Sequence, residues 1–163
     1  MGIPVDTQPP PSSSNPPSAP KSASQLPPEA LALAEKLFDL ARSGSTASLT
    51  PYLTAGIPPN LTNSKGDTLL MLSAYHGHAS TVSVLLSRGA DPNVLNDRGQ
   101  SPLAGAVFKG HDDVVRVLVE GGADPRLGQP NAVDSARMFK KDGYLELFGV
   151  REEEEGDLPF QRP

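Results

Sequence analysis

The strongest constraint on the fold of this chain is an internal repeat in its central part, with a period of about 33 residues. When residues 63–93 are aligned with residues 96–126, twelve of the 31 pairs are identical. The identities fall mainly on glycines, on apolar positions and on a Gly-Ala-Asp-Pro tetrapeptide. Because self-similarity at a fixed period of this length is typical of solenoids, we expect each unit to bury its apolar face against its neighbours.

Each unit has the pattern of two helices followed by an extended finger. Thr68 and Ser101 are hydroxyl residues at positions where a helix begins, and Pro102 suits the first helical position because it has no N–H to leave unpaired. Gly77 and Gly110 predict the end of that inner helix, since glycine accepts the left-handed conformation of a C-cap. Apolar residues at helical spacing then predict a second, outer helix.

The motifs of these units resemble those of ankyrin repeats. The resemblance rests on Gly66-Asp67-Thr68-Leu69-Leu70, Ala74-Tyr75-His76-Gly77-His78, Leu85-Leu86-Ser87-Arg88-Gly89-Ala90-Asp91-Pro92-Asn93 and, in the next unit, Ser101-Pro102-Leu103. It implies an all-α ankyrin-repeat solenoid with short β-hairpin fingers. As a whole the chain is similar to the small stand-alone ankyrin proteins of bacteria and fungi.

The repeat register extends in both directions and predicts about four repeats within residues 29–149. Their expected bounds are 29–60, 63–95, 96–126 and 127–149. In the last repeat the finger is three residues shorter than in the others, yet Gly143 still stands one full repeat period after Gly110. We therefore predict a last inner helix that is about one turn longer and ends near Gly143, followed by a short outer helix at 144–148.

Two tails flank this predicted ankyrin-repeat domain. Residues 1–28 contain nine prolines and six serines, a composition that favours disorder. Within them, Pro17–Pro20 resembles a Pro-Ser-Ala-Pro recognition motif, although a plain tail is the alternative for so short a match. Residues 150–163 form an acidic tail that holds Glu152–Glu155 and Asp157. By default such a run is a solvated, solubilising end.

Composition excludes several classes of function. The chain has no cysteine, no apolar run of about 18 residues and no basic-then-apolar signal at its N-terminus, so we expect a cytoplasmic protein, with the nucleus possible. Residues 29–150 hold 11 Lys and Arg against 13 Asp and Glu without a basic stripe, which argues against nucleic-acid binding. We predict neither an enzyme, nor a cofactor, nor a metal site, and no membrane association. On its own the chain is expected to be a monomer.

The histidines and aspartates of the repeats have structural interpretations. His78 and His111 stand at the repeated Gly-His turn, where the family resemblance implies that the ring joins neighbouring repeats. Asp91 and Asp124 follow Gly-Ala and precede proline, which favours a turn-bonding role. A helical zinc site needs ligands four residues apart, a spacing that the histidines lack.

The resemblance implies that partners contact the finger tips and the exposed side of the inner helices. In this chain the candidate partner-binding residues are Lys65, Asp67, Tyr75, His76, Asp97, Arg98, Phe108 and Lys109. Tyr75 and Phe108 occupy the same position in adjacent repeats and are typical anchors of an interface. Sideways packing of each ring against its neighbour is the alternative interpretation of these aromatics.

Two functions follow from these patterns. The leading hypothesis is a non-enzymatic module that binds an unidentified protein partner as an adaptor, inhibitor or escort. The alternative is a chaperone-like escort of a basic client, in which the acidic C-terminal tail makes the contact. The first predicts loss of binding when the two rings are truncated, and the second predicts steep salt dependence.

Overall fold

The computed structural model describes residues 22–151, apart from the side chain of Gln25. After one 3-10 turn, this part of the chain forms eight helices in four successive pairs. Their bounds are α1 Pro28–Ser43, α2 Thr46–Thr54, α3 Leu69–Tyr75, α4 Ala79–Ser87, α5 Pro102–Lys109, α6 Asp112–Glu120, α7 Ala132–Met138 and α8 Asp142–Leu147. The predicted all-α solenoid is therefore confirmed.

The helices stack in two layers. The inner layer packs α1 on α3, α3 on α5 and α5 on α7, while the outer layer packs α2 on α4, α4 on α6 and α6 on α8. Leu37, Leu70 and Leu103, which occupy the same position in three successive repeats, are all at most 1% exposed between the layers. Burying such a side chain contributes about 1.5–3 kcal/mol, so the repeated leucines contribute strongly to holding adjacent repeats together.

Local signals set the ends of the inner helices as predicted. The hydroxyl of Thr68 accepts from the N–H of Met71 at 3.1 Å, and that of Ser101 accepts from Ala104 at 3.1 Å. At the other end, Gly77 adopts a φ of 81°, in the left-handed region. Helices α3 and α5 thus each begin at a side-chain cap and are followed by a sharp turn into the outer helix.

The fingers differ from the predicted β-hairpins. Within the described residues they contain hydrogen-bonded turns and isolated bridges, such as Thr62 with Thr68, but no strand. The reason is local, because Oδ1 of Asn63 accepts from the backbone N–H groups of Lys65 and Asp67, both at 2.9 Å. This side chain holds the tip as a compact turn, where a strand would need a longer backbone ladder.

The last repeat corrects the sequence prediction. Its inner helix α7 is no longer than α3, and the turn falls at Lys140, which takes the left-handed conformation with φ 54°. Gly143 lies inside α8 instead of ending the inner helix. An interval three residues shorter than the regular one places Ala136 and Tyr144 at the buried positions of Ala106 and Val114, so core packing selects this register.

The N-terminal boundary also differs. The sequence assigns residues 22–27 to the tail, whereas the structure shows Ala23 buried and its N–H donating to the carbonyl of Thr62 at 2.7 Å. These residues therefore pack against α1 and the first finger. Residues 1–21 and 152–163, including the Pro-Ser-Ala-Pro segment and the acidic run, lie outside the described residues.

Candidate partner-binding groove

A groove of about 500 Å³ runs between the fingers and the inner helices α3, α5 and α7. Six of the eight candidate residues line it, namely Lys65, Asp67, Tyr75, His76, Arg98 and Phe108. Its floor is formed by small or apolar groups, including Pro102, Ala104 and Gly105. The fold thus gathers residues from the fingers and inner helices of two repeats. An apolar floor with a few polar groups at its edge suits a bound ligand or peptide.

The side chain of Tyr75 contacts the neighbouring repeat and is also partly exposed. A Cβ atom built on Gly105 would stand 3.5 Å from the Cδ2 atom of the Tyr75 ring, at ordinary van der Waals distance, so the ring lies close to α5 at this residue. Nζ of Lys109 lies 5.1 Å from the ring centroid, within the range of a cation–π contact. The side chain nevertheless remains 41% exposed. Both interpretations of this residue therefore apply, because it contacts its neighbour and still presents a face to the groove.

Phe108 is the most exposed aromatic residue among those described, at 60%. Its ring meets that of Phe139 edge to face, with centroids 5.6 Å apart and an interplanar angle of 70°. The pair joins the ends of α5 and α7. Aromatic pairs of this geometry contribute about 0.5–1.5 kcal/mol beyond area burial, so Phe108 has a packing role as well as an exposed face.

The finger residues are positioned by contacts between successive fingers. The N–H of Asp97 donates to the carbonyl of Lys65 at 3.0 Å, and the amide of Asn96 donates to Oδ1 of Asp67 at 2.9 Å. A Cβ on Gly66 would lie 2.5 Å from Oδ1 of Asp97, so that carboxylate packs directly on the preceding finger. The two aspartates thus hold the fingers together. Lys65 and Arg98 remain exposed at the tips.

His76 lies at the end of α3, close to other basic side chains. His76 is exposed, and its ring stacks on that of His78 with centroids 6.5 Å apart. Partial burial lowers the pKa of His76 below its ordinary value, and the nearby charges of His78, Arg42, Lys109 and His111 lower it further. The neutral form of His76 is therefore favoured.

Sequence reasoning missed Met138 and Phe139. They are 68% and 42% exposed, and they extend the apolar ridge of Tyr75 and Phe108 to the last repeat. The last repeat follows at an interval three residues shorter than the regular one, which places Met138 at the position that Phe108 occupies in the repeat before it. Gly143 suggested a constant repeat period, and under that period the two residues do not align. Aligning the caps Ser101 and Asn131 would have revealed the match.

Two other kinds of site are absent from residues 22–151. Between Ser22 and Arg151 no group of three or more His, Asp or Glu side chains is arranged to hold a metal ion. No helix in the same range has the length and apolar character needed to cross a membrane.

A family model of ankyrin repeats in three copies matches residues 37–128, more than half of the chain. The chain belongs to the ankyrin-repeat family. The ankyrin groove described above is thus built from repeats of a family that generally mediates protein–protein interactions and is typically non-enzymatic. Function in such a family depends on the side chains that each member presents.

A curated relative gives a similar result over a shorter segment. The chain is 62% identical over 47 residues to a Pseudomonas aeruginosa protein named for its ankyrin repeats. The matched segment is 29% of this chain and 28% of that protein. The match therefore spans less than a third of the curated relative.

Proposed function

We propose that this ankyrin-repeat protein binds a protein partner in the groove, acting as an adaptor, inhibitor or escort without catalysis of its own. The observation that carries the proposal is the pair Tyr75 and Phe108, half exposed on adjacent inner helices within one groove. Exposed aromatics that are already held by neighbours lose little conformational freedom when a partner covers them. Such preorganised rings are suited to be anchors of an interface.

The cations around these rings form the polar rim of the proposed interface. Lys65 and Arg98 stand at the finger tips, and Lys109 lies beside the Tyr75 ring. The full set of residues that we assign to the site is Lys65, Asp67, Tyr75, His76, Asp97, Arg98, Phe108 and Lys109. Among them, Asp67 and Asp97 act by positioning the fingers. Rim charges set the rate and specificity of association more than the affinity.

The test is an affinity capture from a lysate of the source organism. The intact chain is compared with the double variant Tyr75→Ala/Phe108→Ala and with Leu147→Ala, a matched control whose side chain is 40% exposed on α8 in the outer layer. Circular dichroism first establishes that all three are folded.

We expect the double variant to lose a partner that the intact chain and the Leu147 variant both retain. If the rings are anchors, truncating them costs about 2 kcal/mol or more of binding free energy. Capture of the same partner by all three forms would place the interface elsewhere and overturn the proposal.

The alternative of an escort for a basic client depends on Glu152–Glu155 and Asp157. These residues lie outside the described part of the chain, so this hypothesis stays a prediction. Its distinguishing result is a captured basic protein that is released by salt and is lost when the acidic residues are neutralised.

A further inference from the structure

The two methionines that the structure describes differ in their exposure to solvent. Met71 on α3 is 7% exposed, whereas Met138 at the end of α7 is 68% exposed, more than any other large apolar side chain between residues 22 and 151. An oxidant reaches a thioether only where the side chain is open to solvent, so exposure decides which methionine reacts. The fold thus presents Met138 to a dissolved oxidant and shields Met71.

Met138 continues the apolar ridge that Tyr75 and Phe108 form along the inner helices. Each of the three lies seven positions after the N-cap of its helix, in the pairs Thr68 with Tyr75, Ser101 with Phe108 and Asn131 with Met138. The neighbouring ring of Phe139 meets that of Phe108 edge to face, with centroids 5.6 Å apart. A change in the polarity of Met138 therefore falls on the same face as the proposed anchors.

Peroxide converts a thioether into a sulfoxide in one two-electron step. A lone pair of the sulfur attacks one oxygen of hydrogen peroxide, an S–O bond forms, the O–O bond breaks and the second oxygen leaves as hydroxide. That hydroxide takes the proton of the transferred oxygen and becomes water, so the sulfur is oxidised while the peroxide is reduced. Methionine sulfoxide reductases restore the thioether, and two thiols supply the electrons as they form a disulfide and water.

We propose that Met138 is a site of reversible oxidation by peroxide on the partner-binding face, and that its sulfoxide weakens binding of the protein partner. The inference rests on the proposed function, because Met138 extends the ridge of Tyr75 and Phe108. The sulfoxide oxygen accepts hydrogen bonds from water, so covering it with an apolar partner surface is unfavourable. Because the side chain is exposed, the added oxygen requires no repacking of the core. Oxidation therefore changes the binding face and leaves the stack folded.

The first experiment treats the full chain with hydrogen peroxide and follows each methionine by peptide mass spectrometry. We expect Met138 to gain one oxygen atom about tenfold faster than Met71, in line with their exposures of 68% and 7%. In concentrated urea, where the chain is unfolded, the two rates should become equal. Met1 lies outside the described residues and is followed in a separate peptide. Equal rates for Met71 and Met138 in the folded chain would overturn the proposal.

The second experiment repeats the partner capture with peroxide-treated protein. The intact chain is compared with Met138→Leu, which keeps an apolar side chain of similar size that peroxide does not oxidise, and with Met71→Leu as the matched control. We expect oxidation to weaken capture about threefold or more for the intact chain and for Met71→Leu, and to leave Met138→Leu unchanged. Methionine sulfoxide reductase with a dithiol should restore capture by the oxidised intact chain.

The outcomes separate this proposal from the one on which it rests. If Tyr75→Ala/Phe108→Ala abolishes capture while oxidation of Met138 does not change it, the groove binds a partner and the oxidation effect is wrong. If capture does not depend on the two rings, the proposed function fails and the effect on binding fails with it, whereas the oxidation rates still show which methionine reacts. Circular dichroism of the oxidised chain should match that of the untreated chain, and a loss of helix would overturn a local effect on the binding face.

Discussion

Nε2 of His111 lies 3.0 Å from the carbonyl oxygen of Tyr75 and donates a hydrogen bond to the preceding repeat. His78 makes the equivalent bond to the carbonyl of Arg42 at 2.7 Å. Each acceptor stands near the C-terminal end of an inner helix, where carbonyls have no partner within the helix. The role that the resemblance implied for these histidines is confirmed by this geometry, which fastens one repeat to the next.

Replacing His111 with alanine is expected to destabilise the fold by about 1–2 kcal/mol, because the Tyr75 carbonyl loses its partner. Urea denaturation followed by circular dichroism measures the change. His76→Ala is the matched control, since His76 is exposed and its loss should change the free energy of unfolding by no more than about 0.5 kcal/mol. Equal effects of the two substitutions would contradict the assigned bond.

Gly77→Ala and Gly110→Ala separate backbone strain from side-chain contact. Both glycines have similar left-handed φ angles, 81° and 75°. A Cβ on Gly77 would lie 2.8 Å from the His111 ring, whereas a Cβ on Gly110 would have nothing within 4 Å. We expect about 1–2 kcal/mol of destabilisation at Gly110 from backbone conformation alone.

At Gly77 the loss should be larger, because the new methyl group also displaces the bond from His111 to Tyr75. Denaturant midpoints of the two variants provide the comparison. A Gly110 variant as unstable as the Gly77 variant would show that ring displacement adds nothing.

Lys140→Gly is expected to stabilise the chain by about 1 kcal/mol. Lys140 takes a φ of 54° at the turn position that glycine occupies in the other three repeats, and a side chain in that region costs about 1–2 kcal/mol. Part of the gain is offset by the greater freedom of glycine in the unfolded state. Lys140→Ala removes the charge while keeping the strained backbone, so thermal unfolding of both variants distinguishes the two causes. A gain from alanine equal to that from glycine would assign the effect to charge.

Tyr144 should titrate at a higher pH than an ordinary tyrosine. Burial of its ring and the hydrogen bond from its hydroxyl to Asp112 raise its pKa to about 12. Because the protonated phenol is favoured in the fold, its stabilising contribution is present below the ordinary pKa of about 10 and is lost as pH rises toward 12. Absorbance titration of the phenolate should show one late tyrosine, absent in Tyr144→Phe.

Unfolding measurements give a second check on Tyr144. The wild type should be more stable than Tyr144→Phe at neutral pH by about 1 kcal/mol, and this difference should shrink between pH 10 and 12. Tyr52→Phe is the control and should keep the late titration step. A late step that disappears in the Tyr52 variant would assign the raised pKa to the wrong residue.

Much of the fold and part of the candidate site follow from local signals in the sequence. Thr68 and Ser101 cap helices by bonding to residues three positions away, and Asp91 and Asp124 bond the N–H groups of Asn93 and Arg126 two positions on, both at 2.9 Å. Such contacts depend on few neighbours and therefore leave a readable pattern. The placement of Tyr75 and Phe108 along one groove follows from the repeat period, because the two residues occupy the same position in adjacent repeats.

The last repeat and the full extent of the groove depended on tertiary packing. The turn at Lys140 has no local sequence signal, because lysine gains nothing from a left-handed conformation. Burial of Ala136 and Tyr144 in the core selects that turn. In the same register the ring of Phe139 lies against the ring of Phe108. By itself the sequence determined the repeat, its caps and its family. Only the tertiary structure decided where the last turn lies and which aromatic side chains meet, since both depend on burial between residues that are distant in the chain.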